Sequence, residues 1–250
     1  ITKKNKPDLK SIINVAKKLS NLIKKKSLII LESTVYPGVT ENILGKIIEK
    51  KRGLKINKDF FLGYSPERIN PGDKKHKLVN AKKIVSGSNQ KTLDLLGKIY
   101  SKIIKAGIYK VTSIKIAEAA KVIENIQRDL NIALMNDIFI FCKRMNLNFK
   151  NILELAGTKW NFLKFSAGLV GGHCLPVDPY YLSYIAKKNN ISLETVLAGR
   201  SVNHKLKNFV FKQIKNKILN FKRKNKKRCR VLISGITYKK NVADIRNSYA

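Results

Sequence analysis

Apolar side chains recur at Ile12, Val15, Ala16, Leu19, Leu22 and Ile23, the spacing of one buried face on an amphipathic helix. Asp8 ahead of them is a good helix cap. From 27 to 31 the chain is apolar without alternation, which predicts a parallel strand covered on both faces. Further along, a helix is expected over about 40–51, strands over 60–64 and 83–87, a helix over about 90–104 and a strand over 108–111. Strands and helices taking turns at this spacing predict an α/β fold with a Rossmann-like, doubly wound parallel sheet.

Beyond Thr112 the pattern changes to long helices. Ala119, Ile123, Ile126, Leu130, Ala133 and Leu134 mark one over 116–144. A short helix over 149–156, an irregular aromatic loop over 158–170, a helix over 180–188 and a long one over about 193–221 follow. A basic linker leads to the apolar run 231–235, which reads as the first strand of a second α/β domain. The chain therefore divides into an α/β part (1–111), a central helical part (112–222) and the opening of another α/β part (223–250).

Composition changes this picture only a little. The 250 residues hold 52 Lys and Arg against 16 Asp and Glu, a net charge of +36, which raises the prospect of a non-enzymatic polyanion-binding or scaffold protein. The lysines are spread over nearly every segment, without clustered aromatics or a recognisable nucleic-acid-binding module. Most of the excess reads as solvated surface, and a negatively charged small substrate is equally compatible with it. Cys142, Cys174 and Cys229 have no paired spacing, which argues for a reducing, cytoplasmic setting and against a disulfide framework. With three histidines and neither C-x-x-C nor H-x-x-x-H, no zinc site is expected. No signal peptide and no apolar run of membrane-spanning length is present. The absence of an initial methionine and the stop soon after a strand-like run read as an internal piece of a longer protein.

The candidate chemistry sits where such folds place it. Polar residues close the strands at 32–38 and 65–73, and open α/β sheets bind ligands at carboxyl strand ends. Neither G-x-G-x-x-G nor a P-loop is present. Glu118, Lys121 and Asn125 fall on one face of a helix by spacing. Cys174 lies in Gly171-Gly172-His173-Cys174-Leu175-Pro176-Val177-Asp178-Pro179, with Asp178 as N-cap and Pro179 at the first helical position. The helix dipole would favour a thiolate there, and the paired glycines would leave the thiol open to approach. Read locally, the loop suits a nucleophile and an inert buried cysteine equally well. A cysteine, a lysine, an amide and two carboxylates together suit a thiohemiacetal and thioester.

Five motifs carry a resemblance. Glu-Ser-Thr-Val-Tyr-Pro-Gly at 32–38, Ser-Pro-Glu-Arg-Ile-Asn-Pro-Gly-Asp at 65–73, Ala-Glu-Ala-Ala-Lys-Val-Ile-Glu-Asn at 117–125, Gly-Leu-Val-Gly-Gly-His-Cys-Leu-Pro-Val-Asp-Pro-Tyr-Tyr-Leu at 168–182 and Gly-Ile-Thr-Tyr-Lys-Lys-Asn-Val-Ala-Asp-Ile-Arg-Asn-Ser at 235–248 resemble the UDP-glucose/UDP-ManNAc dehydrogenase family. The resemblance implies two successive NAD-dependent oxidations of C6 of a UDP-sugar. It makes 1–111 the remainder of an NAD-binding domain, 112–222 the helical dimerisation domain and 223–250 the start of a UDP-sugar-binding domain. It implies Cys174 as covalent nucleophile, Lys121 and Asn125 as oxyanion partners, and Asp178 as the group ordering water, with Glu67 and Thr34 across that water. Ser33, Thr34, Val35 and Arg246 would contact NAD. Glu67, Arg68, Lys121, Asn125, Gly171, Gly172 and Lys239 would contact the sugar nucleotide. His173 is a rival base left outside this set. The motif forms, with Pro71 where the glucose branch carries a second glutamate, look closest to UDP-N-acetylhexosamine enzymes, with UDP-glucose 6-dehydrogenase as the alternative and a homodimer or higher homo-oligomer as the expected assembly. The family's glycine-rich NAD fingerprint would precede Ile1.

Overall fold

The computed structural model of the chain describes residues 1–2, 4–69, 72–73, 77–225 and 228–249. Helix α1 (Lys10–Leu22) starts where the Asp8 carboxylate accepts from the Lys10 amide at 3.0 Å. Four strands follow: β1 (Ser27–Leu31), β2 (Phe60–Tyr64), β3 (Lys83–Gly87) and β4 (Ile108–Val111). They form one sheet in the order β1-β2-β3-β4. Between β1 and β2 the expected helix begins as a π-helical turn (Thr40–Gly45) and continues as α2 (Lys46–Arg52). Helix α3 (Gln90–Ser101) joins β3 to β4, its first turn capped by the Asn89 side chain.

The α/β class stands, with one pair running against the expected parallel sheet. β1/β2 and β3/β4 are parallel, whereas β2/β3 is antiparallel, pairing Gly63 with Gly87 and Tyr64 with Ser86. The helices α2 and α3 carry the chain back across the sheet between parallel neighbours. Among the described residues, the β2–β3 connection holds only the short turn Leu78–Asn80, and without a crossover helix the chain re-enters antiparallel. β1 is only partly buried along its length, whereas β3 is buried throughout. Having one neighbour rather than two accounts for that difference from the strand buried on both faces.

The chain separates into two units, Ile1–Glu124 with Tyr180–Ser192, and Asn125–Pro179 with Leu193–Ala250. In the first, Val35, Val39, Leu44, Ile48, Phe60 and Leu62 form the core with Ala16, Ile114 and Ala117. The second is built on the long helices α4 (Ile114–Arg144, from Asn125 onward) and α7 (Glu194–Asn225), with α5 (Phe149–Ala156) between them and the start of α6 (Asp178–Lys188). A buried polar chain ties its interior. Arg200 donates to Asp129 at 2.6 Å, Asn203 to Asp129 at 2.8 Å and Asn136 to Asn203 at 2.8 Å. Asn136 also exchanges bonds with both backbone groups of Gly168, at 2.8 and 3.1 Å.

The run 231–235 does not form the expected strand. Val231, Leu232 and Ile233 are exposed, and no strand among the described residues pairs with them. A lone extended segment has no ladder to satisfy its backbone, so its apolar composition alone does not make a strand. No described helix is long and apolar enough to cross a membrane.

Candidate active site

The first unit supplies two strand-end loops. β1 ends at Glu32-Ser33-Thr34, where Ser33 is exposed, Thr34 half-buried and Val35 fully buried. The segment after it is held by Glu118, which is completely buried and accepts from the Gly38 amide at 2.5 Å, the Thr40 amide at 2.9 Å and the Thr40 hydroxyl at 2.7 Å. Burial pushes the Glu118 carboxyl up, against the pull of those donors. Of the three residues assigned to one helical stripe, Glu118 thus fastens the 33–40 loop to α4, Lys121 is half-buried one turn on, and Asn125 lies in the other unit.

The second loop follows β2. Ser65 is buried, its amide donating to Leu31 and its hydroxyl to the Ile84 carbonyl at 2.7 Å. Glu67 is exposed at the tip, where its Oε1 accepts from the Arg68 and Ile69 amides at 2.7 and 2.6 Å. Arg68 donates to the Lys82 carbonyl at 2.9 Å and pairs with Glu124 at 2.7 Å. Its guanidinium is engaged in holding the loop. Asn70 and Pro71 of the same motif lie outside the described residues.

In the second unit the nucleophile candidate sits on the turn that starts α6. The Cys174 carbonyl accepts from the Val177 and Asp178 amides, both at 3.0 Å, and Cys174 itself is exposed. Of the cysteines it is Cys142, on α4, that is buried. Asp178 is buried, and the Asn125 amide donates to its carboxylate at 2.6 Å. The structure thus joins three of the sequence candidates: a thiol, a carboxylate four residues on, and an amide fixed to that carboxylate.

The two glycines before Cys174 have a different use from the one expected. A Cβ on Gly171 would come within 2.8 Å of the Asn247 carbonyl, and one on Gly172 within 2.8 Å of the Tyr238 ring. Gly172 also holds φ at +87°, where L side chains are disfavoured. They let the 238–247 segment press against the loop. The Gly172 amide donates to Asn247 at 3.4 Å and the Asn247 amide returns a bond at 3.1 Å. His173 Nδ1 lies 3.6 Å from Asp244, and its ring meets Tyr238 edge-on. Arg246 grips the same Asp244 through two side-chain bonds of 2.9 and 2.8 Å, holding that carboxyl down at about 2. Lys239 is half-buried, and its carbonyl accepts from Thr237 at 2.9 Å.

Comparisons with known proteins fit this layout. Residues 1–104 match the UDP-glucose/GDP-mannose dehydrogenase family, NAD binding domain, and 115–205 match its central domain. The chain belongs to this family. It is 47% identical over 99% of its length to UDP-N-acetyl-D-glucosamine 6-dehydrogenase of Pseudomonas aeruginosa, spanning 58% of that protein. It is 48% identical over 97% of its length to the Salmonella typhi enzyme of the same name, spanning 57% of it. Its fold matches the UDP-D-ManNAc dehydrogenase of Pyrococcus horikoshii with a TM-score of 0.87 at 30% identity, over 98% of this chain and 58% of that one. The chain thus spans somewhat over half the length of these relatives. The reading as a non-enzymatic basic scaffold has no support here.

Sequence reasoning left three residues that hold the candidate loops of the two units without a role. Glu118 was placed on a stripe with Lys121, although its neighbours Ala117, Ala119 and Ala120 were a sign that this turn of α4 packs closely. Asp244 sits two residues before Arg246, close enough in sequence to be found as its partner. Tyr238 had no local signal, because its contact with Gly172 joins distant segments.

Proposed function

We propose that this chain carries the cofactor loop and the nucleophile of an NAD-dependent UDP-N-acetylhexosamine 6-dehydrogenase, with UDP-N-acetylglucosamine as the sugar nucleotide. The observation that carries the chemistry is the turn in which the Asp178 amide holds the Cys174 carbonyl while the Asp178 carboxylate takes the Asn125 amide. The choice of sugar rests on the relatives named above. Exposed and half-exposed hydroxyls of Ser33 and Thr34 at the carboxyl end of β1 fit a dinucleotide, and NAD held there would accept the hydride of each oxidation.

The chain's own residues account for the rest. The C6 alcohol first loses a hydride to the cofactor and its hydroxyl proton to solvent; the Cys174 thiolate then adds to the resulting aldehyde, and the oxyanion formed is stabilised by Lys121 and Asn125. After oxidation to the thioester, water adds to C6, the C–S bond breaks and the thiolate leaves. Asp178 orders that water and takes its proton, with Glu67 and Thr34 contributing from the strand-end loops. Gly171 and Gly172, and Lys239 on the segment packed against them, are the substrate-contacting candidates. Arg68 positions the Glu67 loop, and Arg246, paired with Asp244 in this structure, would have to exchange that pair to contact the cofactor.

Exposed Phe211, Ile214, Leu219 and Phe221 on α7 support a homodimer through the long helices. The reducing use of cysteine supports a cytoplasmic site of action. The test is NADH formation by the full-length protein with a panel of UDP-sugars. Two NADH per UDP-N-acetylglucosamine are expected, and Cys174→Ser should form none of the acid. Turnover of UDP-glucose alone overturns the choice of sugar, and no turnover of any UDP-sugar overturns the reading as a whole.

A further inference from the structure

One ammonium in the first unit lies where a cation is expensive. The Lys83 side chain opens β3 with only 4% of its surface exposed. Removing an ammonium from water costs free energy unless acceptors surround it. Its acceptors come from two loops. Lys83 Nζ lies 3.3 Å from Glu32 Oε1, 3.4 Å from the Pro66 carbonyl and 3.5 Å from the Ser65 carbonyl. The Tyr100 ring closes the remaining side, its centroid 5.2 Å away.

Glu32 is held in turn. The Tyr100 hydroxyl donates to the same Oε1 at 2.5 Å, and burial together with that carboxylate keeps the phenol protonated well above its ordinary range. The Glu32 carbonyl accepts the Glu67 amide at 3.3 Å. Glu32 immediately precedes Ser33 and Thr34, and Pro66 immediately precedes Glu67. A single cation therefore faces the last fixed groups of both strand-end loops.

We propose that Lys83 is a positioning residue that fastens the Thr34 loop and the Glu67 loop to one another. This rests on the dehydrogenase reading only for its catalytic consequence. The antiparallel β2/β3 register, with Tyr64 opposite Ser86, makes the arrangement available, because continued past Tyr64 it brings the amino end of β3 alongside the Ser65–Glu67 loop. A methionine would fill nearly the same space without desolvation, so the ammonium's particular contribution is directional. It draws two carbonyls and a carboxylate to one point. The contacts above 3.3 Å act as charge–dipole attraction more than as short hydrogen bonds. Arg68 adds a second fastening on the far side of Glu67 through the Lys82 carbonyl.

The test uses full-length Lys83→Met, Lys83→Arg and Tyr100→Phe. Two readouts are taken: amide hydrogen exchange of peptides covering 31–36 and 64–69, and steady-state NADH formation. In Lys83→Met both peptides should exchange about tenfold faster, with the α4 peptides unchanged. kcat per folded molecule should fall about 10–100-fold, as expected when a reacting group is misplaced, with a severalfold higher KM for NAD and a smaller change in KM for the sugar. Lys83→Arg should restore kcat to within about threefold, which a bulk packing role would not do. Tyr100→Phe, which folds without removing the cation, should move both readouts the same way by a smaller factor. Unchanged exchange in both loops, or faster exchange with wild-type kcat and KM in an active enzyme, overturns the proposal. If the wild-type protein oxidises no UDP-sugar, faster exchange in Lys83→Met still supports the fastening, and the failure belongs to the dehydrogenase reading.

Discussion

The amide of Asn125 donates to the buried carboxylate of Asp178 at 2.6 Å. An amide given over to oxyanion binding alone would be aimed at the substrate, and this one is also tied to the group meant to order water. The two proposed roles would therefore be mechanically linked in one unit, beside the Cys174 turn. In Asp178→Asn the carboxamide oxygen still accepts from Asn125, so the fold should stay within about 1 kcal/mol of wild type. The charge and the base are lost, and kcat of the full-length protein should drop about 10²–10⁴-fold. Steady-state NADH formation and a thermal melt separate the two effects. A kcat near wild type would remove Asp178 from the mechanism.

Glu118 makes a stability prediction with a definite sign. In Glu118→Gln one oxygen becomes a carboxamide NH2 that faces either the Gly38 amide, bound at Oε2, or the Thr40 amide, bound at Oε1, which should lower the unfolding free energy by about 2–3 kcal/mol. The folded carboxyl titrates above its unfolded value because burial raises it. Between about 4.3, the unfolded value, and its own raised value, the folded chain holds more protons than the unfolded one. The contribution of Glu118 is thus fully present below that lower limit and is lost as pH rises through the folded value. Urea melts should show the wild-type advantage over Glu118→Gln shrinking as pH rises from about 4, and an advantage that grows instead would contradict the assignment.

Gly172 and Tyr238 allow a double-mutant cycle. Gly172→Ala meets the Tyr238 ring at 2.8 Å and has φ at +87°. The first cost, about 1–3 kcal/mol, is steric, and the second, about 1–2 kcal/mol, is backbone strain. In a Tyr238→Ala background only the second should remain. The loop's opening can be followed by the rate of Cys174 alkylation, read by peptide mass mapping. It should rise severalfold in Gly172→Ala and return part of the way in the double variant. Equal rates in all four proteins would mean the ring does not restrain the loop.

What could be read beforehand follows from the range of the interactions involved. The helical period and the continuous apolar strands are local, and α5 over 149–156 and β1–β4 appeared within the expected spans. The antiparallel β2/β3 pair was not readable, since strand direction depends on whether a connection crosses the sheet and no apolar pattern records that. At the site, a helix start beside Cys174 was legible because helix-start chemistry lies within a few residues, although Asp178 is the first residue of α6 rather than its cap and its carboxylate takes the Asn125 amide. Glu118 looked like a member of a polar stripe, and its partners at Gly38 and Thr40 lie about 80 residues away. Long-range partners of that kind decide whether a carboxylate is chemistry or a fastening. The segment 231–235 shows the converse limit, an apolar run whose strand character needs a neighbour that no local pattern can supply.

The Asp129–Arg200 pair links stability to the Cys174 loop. Both side chains are almost wholly buried, at 1% and 2% exposure, and meet at 2.6 Å. Asp129 Oδ2 and Arg200 Nε have no partner among the described residues, so the pair is short of full satisfaction. Burial already raises the Asp129 carboxyl. Arg200→Met removes the opposing cation and leaves a buried carboxylate with Asn203, which should cost about 3–5 kcal/mol. Removing both charges, in Asp129→Leu with Arg200→Met, should cost much less than the sum of the singles, because no unpaired charge remains. The network continues through Asn203 and Asn136 to the backbone of Gly168, six residues before Cys174. If that continuity matters, Arg200→Met should speed exchange of the Gly168 amide and Cys174 alkylation together. The charge-free double variant should recover global stability without recovering either rate, since Asn203 then lacks the carboxylate that orients it towards Asn136. Additive costs, or loop rates that follow global stability in every variant, would show that the network serves the helix packing alone.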